Sequence, residues 1–252
     1  MTAAFAIAGR SIRLIPRLAS TFIPSLVMPV ILTVAFSGAL SSLVNLPMFP
    51  ATKSIDWFIP MTTTMGGAFA GVTTGLGVAR DFESGFYDRF LLSPIPRTSL
   101  IAGGALAAAM RSLIPISLML LVANIGQANF KGGAFTVVPL IAAAMGFSVV
   151  ASLWSMAIAL KFRTVQAAPL MTTAVFLSVF LSTAQMPLHL LSGWIHTVAK
   201  FNPVTKILAL ARQGFLGEVT WEGSWPGLLA LTGLLSLTLL LASLAMMGLS
   251  RR

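Results

Sequence analysis

The sequence predicts an all-α integral membrane protein with six transmembrane helices, and three observations carry this prediction. The chain of 252 residues is 57% hydrophobic and only 9% charged, with a mean hydropathy of +0.93, whereas a soluble domain is typically about 25% charged. Six runs without Asp, Glu, Lys or Arg are each long enough to cross a bilayer, which takes about 20 apolar residues. Lys and Arg gather in alternate connections between these runs.

The first element is an amphipathic helix predicted over residues 1–20. Arg10, Arg13 and Arg17 recur at helical spacing and therefore share one face. A basic face on a short apolar helix is typical of a helix that lies in the membrane interface. We therefore expect this segment on the cytoplasmic surface.

Six spans and short connections follow. The fourth and sixth uncharged runs are longer than a bilayer requires, which predicts tilt or interfacial ends. The predicted spans cover residues 21–44, 57–79, 112–130, 134–160, 164–186 and 226–249.

The charge of the connections predicts the orientation, because cytoplasmic connections carry an excess of Lys and Arg. With the N-terminus inside, 11 of the 16 Lys and Arg residues fall on the cytoplasmic side and 5 on the outer side. Both termini are therefore predicted to be cytoplasmic. Because the basic residues are scattered between apolar runs and form no concentrated face, no nucleic-acid partner is expected.

Two features in or beside the spans need an interpretation. Gly67, Gly71 and Gly75 lie four residues apart in span two, so they share a helix face that another backbone can approach closely. This helix-packing face belongs either within one subunit or between two.

Arg111 is placed at the cytoplasmic interface, where its side chain can reach the headgroups; the alternative is a buried functional arginine.

Residues 187–222 are too polar to span and too apolar for a free loop. Two short amphipathic helices are predicted here, with a break at Asn202 and Pro203. Such a pair fits a re-entrant hairpin at the outer surface. The chain has no Cys and only two His, so no zinc site is predicted.

Residues 80–97, between spans two and three, collect an unusual amount of charge. Five of the ten residues from Arg80 to Arg89 are charged. One charge at the centre of a spanning helix costs about 2.5 to 3.5 kcal/mol. The stretch is therefore predicted to be a cytoplasmic loop.

In the same stretch a large apolar residue recurs at every fourth position. Phe82, Phe86 and Phe90 recur at that spacing and predict one short helix with an apolar stripe. Asp81 would lie near the start of this helix, where a negative charge complements the helix dipole. Pro94 would end it.

This order of parts resembles the membrane subunit of type-2 ATP-binding-cassette (ABC) exporters, the daunorubicin-resistance-like permeases, over essentially the whole chain. The family's motif in the charged loop matches at Asp81, Glu83, Gly85, Asp88, Arg89, Leu91, Ser93, Pro94 and Arg97, and its Asn-Pro motif matches at Asn202, Pro203 and Arg212. Two residues of the charged loop depart from the family: Phe86 stands where a small hydroxyl residue is usual, and Pro96 where Ser or Thr is common.

The resemblance implies the permease subunit of an ATP-driven exporter, non-catalytic by itself, in a bacterial plasma membrane. Two permease subunits, identical or paralogous, would assemble with two ATPase subunits that bind ATP and Mg, while this chain binds no cofactor. Residues 80–97 would be the coupling helix that docks on the ATPase. The expected coupling residues are Asp81, Phe82, Glu83, Gly85, Phe86, Asp88, Arg89, Phe90, Ser93, Pro94 and Arg97.

The substrate is expected to be amphiphilic or lipophilic, a drug-like or lipid-like molecule. The spans offer apolar surface and hydroxyl groups but, in this interpretation, no buried charge, and spans one, two and five are candidates to line the path. Two alternatives remain. An intramembrane enzyme would need a nucleophile or metal site that the sequence does not show, and a membrane assembly or scaffold protein would not need the charged loop.

Overall fold

The computed structural model describes Phe5, Gly9 and residues 19–87 and 96–249. Within these residues the regular structure is helical and no strand occurs, which confirms the all-α prediction. Eight α-helices have their bounds within the described residues: α1 Ala19–Ala39, α2 Ser54–Glu83, α3 Arg97–Ile125, α4 Val137–Phe162, α5 Ala168–Phe180, α6 Gly193–Phe201, α7 Pro203–Leu216 and α8 Trp221–Leu249.

Three of the described helices are long and apolar enough to cross a membrane. They are Thr98–Ile125 in α3, Val137–Phe162 in α4 and Trp221–Gly248 in α8. The spans predicted over 21–44, 57–79 and 164–186 fall on α1, α2 and α5, and their crossing of the membrane stays a prediction. The interfacial helix predicted over 1–20 lies almost entirely outside the described residues.

The central helix is α2, which packs against α1, α3, α4, α5 and α7. It is 30 residues long, about 45 Å at 1.5 Å per residue. Thr and Gly take the place of large apolar residues along its middle, and most of its side chains from Asp56 to Gly75 are buried. A helix enclosed by other helices presents little surface to lipid, so its lower hydropathy fits its position.

The helices α1 to α4 run in alternating directions, which gives the molecule two ends. The Glu83 end holds the last residues of α2, α4 and α8 and the first of α5, as the hydrogen bond from the Val165 amide to Glu83 shows. The Asp56 end holds the first residues of α2 together with α6 and α7. There the Ser54 hydroxyl donates to the Ser37 carbonyl at the end of α1.

Helix α1 is joined to α2 by one pair of hydroxyls in mid-helix. Thr33 Oγ1 and Thr62 Oγ1 lie 2.6 Å apart, within hydrogen-bonding distance. Each hydroxyl also has an acceptor on its own helix, the Pro29 carbonyl for Thr33 and the Phe58 carbonyl for Thr62. Both threonines are buried.

The glycines of α2 lie at its contact with α4 of the same chain. A Cβ added to Gly67 would lie 2.7 Å from the Ala144 carbonyl oxygen, and a Cβ on Gly71 or Gly75 would lie closer still to the backbone of α4. The Gly75 amide also donates to Ser155 Oγ at 3.3 Å. The glycine face is therefore filled within the subunit by α4.

The fifth predicted span, 164–186, is wrong at its end. Helix α5 has 13 residues and stops at Phe180, so it is about 20 Å long, less than the bilayer core of about 30 Å. The chain then turns through residues 181–187 before the helices α6 and α7. Those two helices meet at Asn202, where the break was predicted.

We predict that Gly71→Ala lowers the thermal unfolding midpoint, because its Cβ would overlap the Ser148 carbonyl oxygen. Overpacking of this kind typically costs about 1 to 3 kcal/mol. The matched control is Gly77→Ala in the same helix, where an added Cβ meets nothing within 4 Å, and there the helix propensity of Ala predicts no loss. Scanning fluorimetry of the detergent-purified protein compares the two, and equal midpoints would contradict the close contact.

Candidate functional site

The Glu83 end is built around the last turn of α2. The helix stops at Glu83 because Gly85 follows with a left-handed φ of +68°, the usual way for a helix to end. The Glu83 carboxylate accepts hydrogen bonds from the Thr164 hydroxyl and the Val165 amide, both at 2.8 Å. These bonds fix the end of α2 to the connection between α4 and α5.

The same hydrogen bonds set the charge of Glu83. They hold the pKa of this carboxyl below its ordinary value, with the Val165 amide the larger cause and the Thr164 hydroxyl the second. Hydrogen bonds to a carboxylate favour its charged form. The side chain is therefore ionised at neutral pH, and this attachment weakens only as the pH falls through the lowered pKa.

The chain beyond Gly85 folds back onto the helix ends. Phe82 stacks on Tyr87, with ring centroids 4.1 Å apart, and the guanidinium carbon of Arg163 lies 5.8 Å from the Phe82 ring centroid. Tyr87 is buried, and its hydroxyl lies 4.0 Å from the Met246 sulfur in α8. The turn at Ser84 and Gly85 is thus exposed between two anchored residues, Glu83 and Tyr87.

The prediction of one helix with a stripe of Phe82, Phe86 and Phe90 is wrong. Asp81 and Phe82 belong to the last turn of α2, so Asp81 lies at a helix end and not near a start. The turn at Gly85 separates Phe82 from Phe86. Arg97 begins α3, and the remaining predicted coupling residues, Asp88, Arg89, Phe90, Ser93 and Pro94, lie outside the described residues.

Arg111 is buried between α2 and α3, so its interfacial placement is wrong. Its side chain is 6% exposed. The guanidinium donates to the hydroxyls of Thr73 and Thr74 and to the Ala107 carbonyl. The spans therefore do contain a buried cation, and two hydroxyls from the neighbouring helix satisfy its donors.

Arg212 in α7 is the second buried cation, and it joins three parts of the Asp56 end. Its guanidinium donates to the carbonyls of Trp57 at 3.2 Å, Thr183 at 2.8 Å and Ala184 at 2.7 Å. Its central carbon also lies 3.7 Å from the Trp57 ring centroid, in a cation–π contact. The planar fork of an arginine holds its donors at fixed angles towards these carbonyls, a geometry that a lysine ammonium does not reproduce.

Asn202 supports the same region from the junction of α6 and α7. Its side-chain amide donates to the carbonyls of Ser178 at 2.7 Å and Leu181 at 3.0 Å. Its oxygen accepts from the Val204 amide at 2.9 Å, which caps α7, and Pro203 occupies the first helical position, where proline is favoured. Asn202, Pro203 and Arg212, taken from the sequence as one motif, thus meet around the end of α5.

Asp56 was not identified in the sequence as a functional residue. Its carboxylate is fully buried and accepts from the backbone amide of Asn129 at 2.7 Å and from its side-chain amide at 2.8 Å. Lys53 donates to the Gln127 carbonyl at 2.6 Å. The position of Asp56 in the first turn of a helix, where an acid is favourable, could have drawn attention to it in the sequence. In the structure Asp56 binds the α3–α4 connection to the start of α2.

Comparison with known proteins gives consistent results. The family model described as ABC-2 type transporter matches residues 2–216. The chain is 27% identical over 192 residues to a Porphyra purpurea protein named as transport permease ycf38, covering 74% of this chain and 64% of that protein. It is 28% identical over 182 residues to an Escherichia coli K12 protein named as multidrug ABC transporter permease YbhR, covering 68% of this chain and 48% of that protein. The chain thus spans about half to two thirds of these relatives.

We predict that Arg212→Gln lowers the thermal unfolding midpoint strongly, because it leaves three buried carbonyls without their charged donor. Each hydrogen bond to a charged group contributes about 1.5 to 3 kcal/mol, so the total loss should exceed about 3 kcal/mol. Arg212→Lys should fall between wild type and Gln, since it keeps the charge but not the fork. The control is Lys206→Gln on the exposed side of α7, and equal midpoints for Arg212→Gln and this control would contradict the assignment.

Proposed function

Because the chain belongs to the ABC-2 type transporter family, we propose that it is the permease subunit of an ATP-driven exporter whose ATPase is a separate chain. In this proposal it is a multi-pass protein of the bacterial plasma membrane, with six spans and both termini in the cytoplasm. The helices α6 and α7 form the re-entrant hairpin at the outer surface. Two permease subunits, identical or paralogous, assemble with two ATPase subunits that bind ATP and Mg.

The observation that carries the proposal is the way in which the exposed turn at Ser84 and Gly85 is held. Glu83 on one side is bound to Thr164 and Val165, and Tyr87 on the other side is buried in a cluster with α3, α4 and α8. A partner that presses on this turn therefore acts on several helix ends at once. We propose that the ATPase docks here and on the residues that follow, up to Arg97.

The construction of α2 supports transmission of that movement. The helix is continuous from Ser54 to Glu83, and its glycine face lies against the backbone of α4. Closely packed helices move as units because packed interiors have discrete arrangements and deform little. A displacement at Glu83 therefore reaches the Asp56 end through α2 and α4 together.

The proposed substrate is amphiphilic or lipophilic. The surface of the helices is rich in exposed large apolar side chains, and the relative from Escherichia coli K12 is named as a multidrug permease. The path lined by α1, α2 and α5 stays a prediction. Export, and not import, is part of the proposal.

We predict that Glu83→Ala, Gly85→Val and Phe86→Ala abolish the ATP turnover that the permease stimulates in its co-purified ATPase. Glu83→Ala frees the end of α2, and Gly85→Val places a β-branched residue at a left-handed φ. Two matched controls should keep stimulation: Gly85→Asn, because Asn tolerates that conformation, and Glu218→Ala, an exposed acid at the Asp56 end. Membrane insertion and the unfolding midpoint are measured in parallel, and normal stimulation in all three variants would overturn the coupling assignment.

The topology has its own prediction. The chain has no cysteine, so single cysteines can be introduced without a prior deletion. A cysteine at Ser84 should react with an impermeant maleimide only from the cytoplasm, and one at Ser192 only from outside; both positions are exposed. The reverse result would invert the orientation, and labelling of both from one side would exclude six spans.

A further inference from the structure

A long apolar groove runs between α4 and α8, and α5 and the junction of α6 and α7 also line the part of it nearer the Asp56 end. It consists of two cavities, of about 400 and 650 Å³, that share Trp154 and Leu241. The first continues past Val150 to Phe147, and the second continues past Ile158 towards the Glu83 end. Together they form the α4–α8 groove.

The wall formed by α8 faces outward. Leu237 and Leu244 each line one of the two cavities and are 53% and 51% exposed. Helix α8 is one of the described helices apolar enough to cross a membrane, and little of it is buried in the protein. The groove is therefore open towards the surrounding lipid along a helix that meets lipid on most of its surface.

The mouth of the groove at the Glu83 end is basic. Lys161 and Arg163 line it and both are exposed. The structure gives Lys161 a contact with the Phe162 ring and Arg163 one with the Phe82 ring, and it gives neither an ion pair with a described carboxylate. Glu83, the acid that reaches this connection, is already bound to Thr164 and Val165.

We propose that the α4–α8 groove binds one anionic phospholipid. One of its two acyl chains lies along the apolar groove, and its phosphate lies between Lys161 and Arg163. The distance along α4 from Arg163 to Phe147 is about 24 Å, enough for the half-thickness of the bilayer core, about 15 Å. A basic mouth at the membrane surface selects an anionic headgroup, because a zwitterionic lipid brings no net charge to two cations.

The proposal rests on the proposed function only in that α4 and α8 must span the bilayer. It needs neither the ATPase nor transport. A failed coupling experiment therefore leaves it standing, and its own failure leaves the exporter assignment standing.

Trp154 offers a direct readout, because a brominated acyl chain quenches an indole that it touches. The purified protein in detergent is titrated with dibrominated phosphatidylglycerol or dibrominated phosphatidylcholine. The Trp154→Phe variant lacks one of the five tryptophans, so the difference in quenching between wild type and this variant gives the contribution of Trp154. We expect half-quenching of Trp154 at a phosphatidylglycerol concentration on the order of tenfold lower than for phosphatidylcholine, as two surface cations predict. High salt should reduce the difference.

The double variant Lys161→Gln and Arg163→Asn should lose the preference for phosphatidylglycerol. Asn is chosen at position 163 because Arg163 has a left-handed φ of 56°, which Asn tolerates. The matched control, Lys131→Gln with Lys200→Gln, removes the same charge from exposed positions at the Asp56 end and should keep the preference.

Three results would overturn the proposal: no quenching of Trp154 by either lipid, equal quenching by both, or an unchanged preference in the double variant. Circular dichroism checks that the double variant is folded. If it is not, the single variant Lys161→Gln and the salt dependence of the wild type decide the question, since a preference that is insensitive to both excludes a role for the basic mouth.

Discussion

The hydrogen bonds of Arg212 are the interaction on which the architecture of the Asp56 end depends. The last carbonyl groups of a helix have no partner within that helix and need donors from elsewhere when they are buried, and α5 ends after only 13 residues. Arg212 and Asn202 supply the missing donors from α7 and from the junction before it. Because Arg212 also binds the Trp57 carbonyl, the same residue ties the hairpin to the start of α2. The early end of α5 thus depends on donors from α7, and the same donors fix α7 to the start of α2.

Helix α2 connects that region to the opposite end of the molecule. Trp57, near its start, lies under Arg212, and Glu83, its last residue, is bound to the α4–α5 connection. Between them the glycine face removes the side chains that would hold α4 at a distance. The closeness of two backbones, together with the hydrogen bond from the Gly75 amide to Ser155 Oγ, is therefore what makes α2 and α4 one mechanical unit within the exporter that we propose.

The sequence predicted the features that depend on local pattern. Uncharged runs located the long helices, and Asn202 followed by Pro203 located the break in the hairpin. The sequence did not predict the features that depend on contacts between residues far apart in the chain. Arg111 was assigned to the interface because its side chain could reach the headgroups from there, whereas it is buried and donates to two hydroxyls of α2. The recurrence of Phe at every fourth position beyond residue 80 led to the prediction of a separate helix there, so the end of α2 was missed. Gly85 was a usable signal for that helix end. The early end of α5 could not be predicted, since its donors come from residues more than 20 positions away.

The hydroxyl pair between α1 and α2 can separate without leaving a buried polar group unpaired. Thr33 and Thr62 bond to each other, yet each has a carbonyl within reach on its own helix. When the pair separates, each hydroxyl keeps an acceptor, so neither pays the usual penalty of a buried polar group left without a partner. Separation of the Thr33–Thr62 pair therefore leaves no hydroxyl without a partner, whereas α2 and α4 are held together by direct backbone contact along the glycine face.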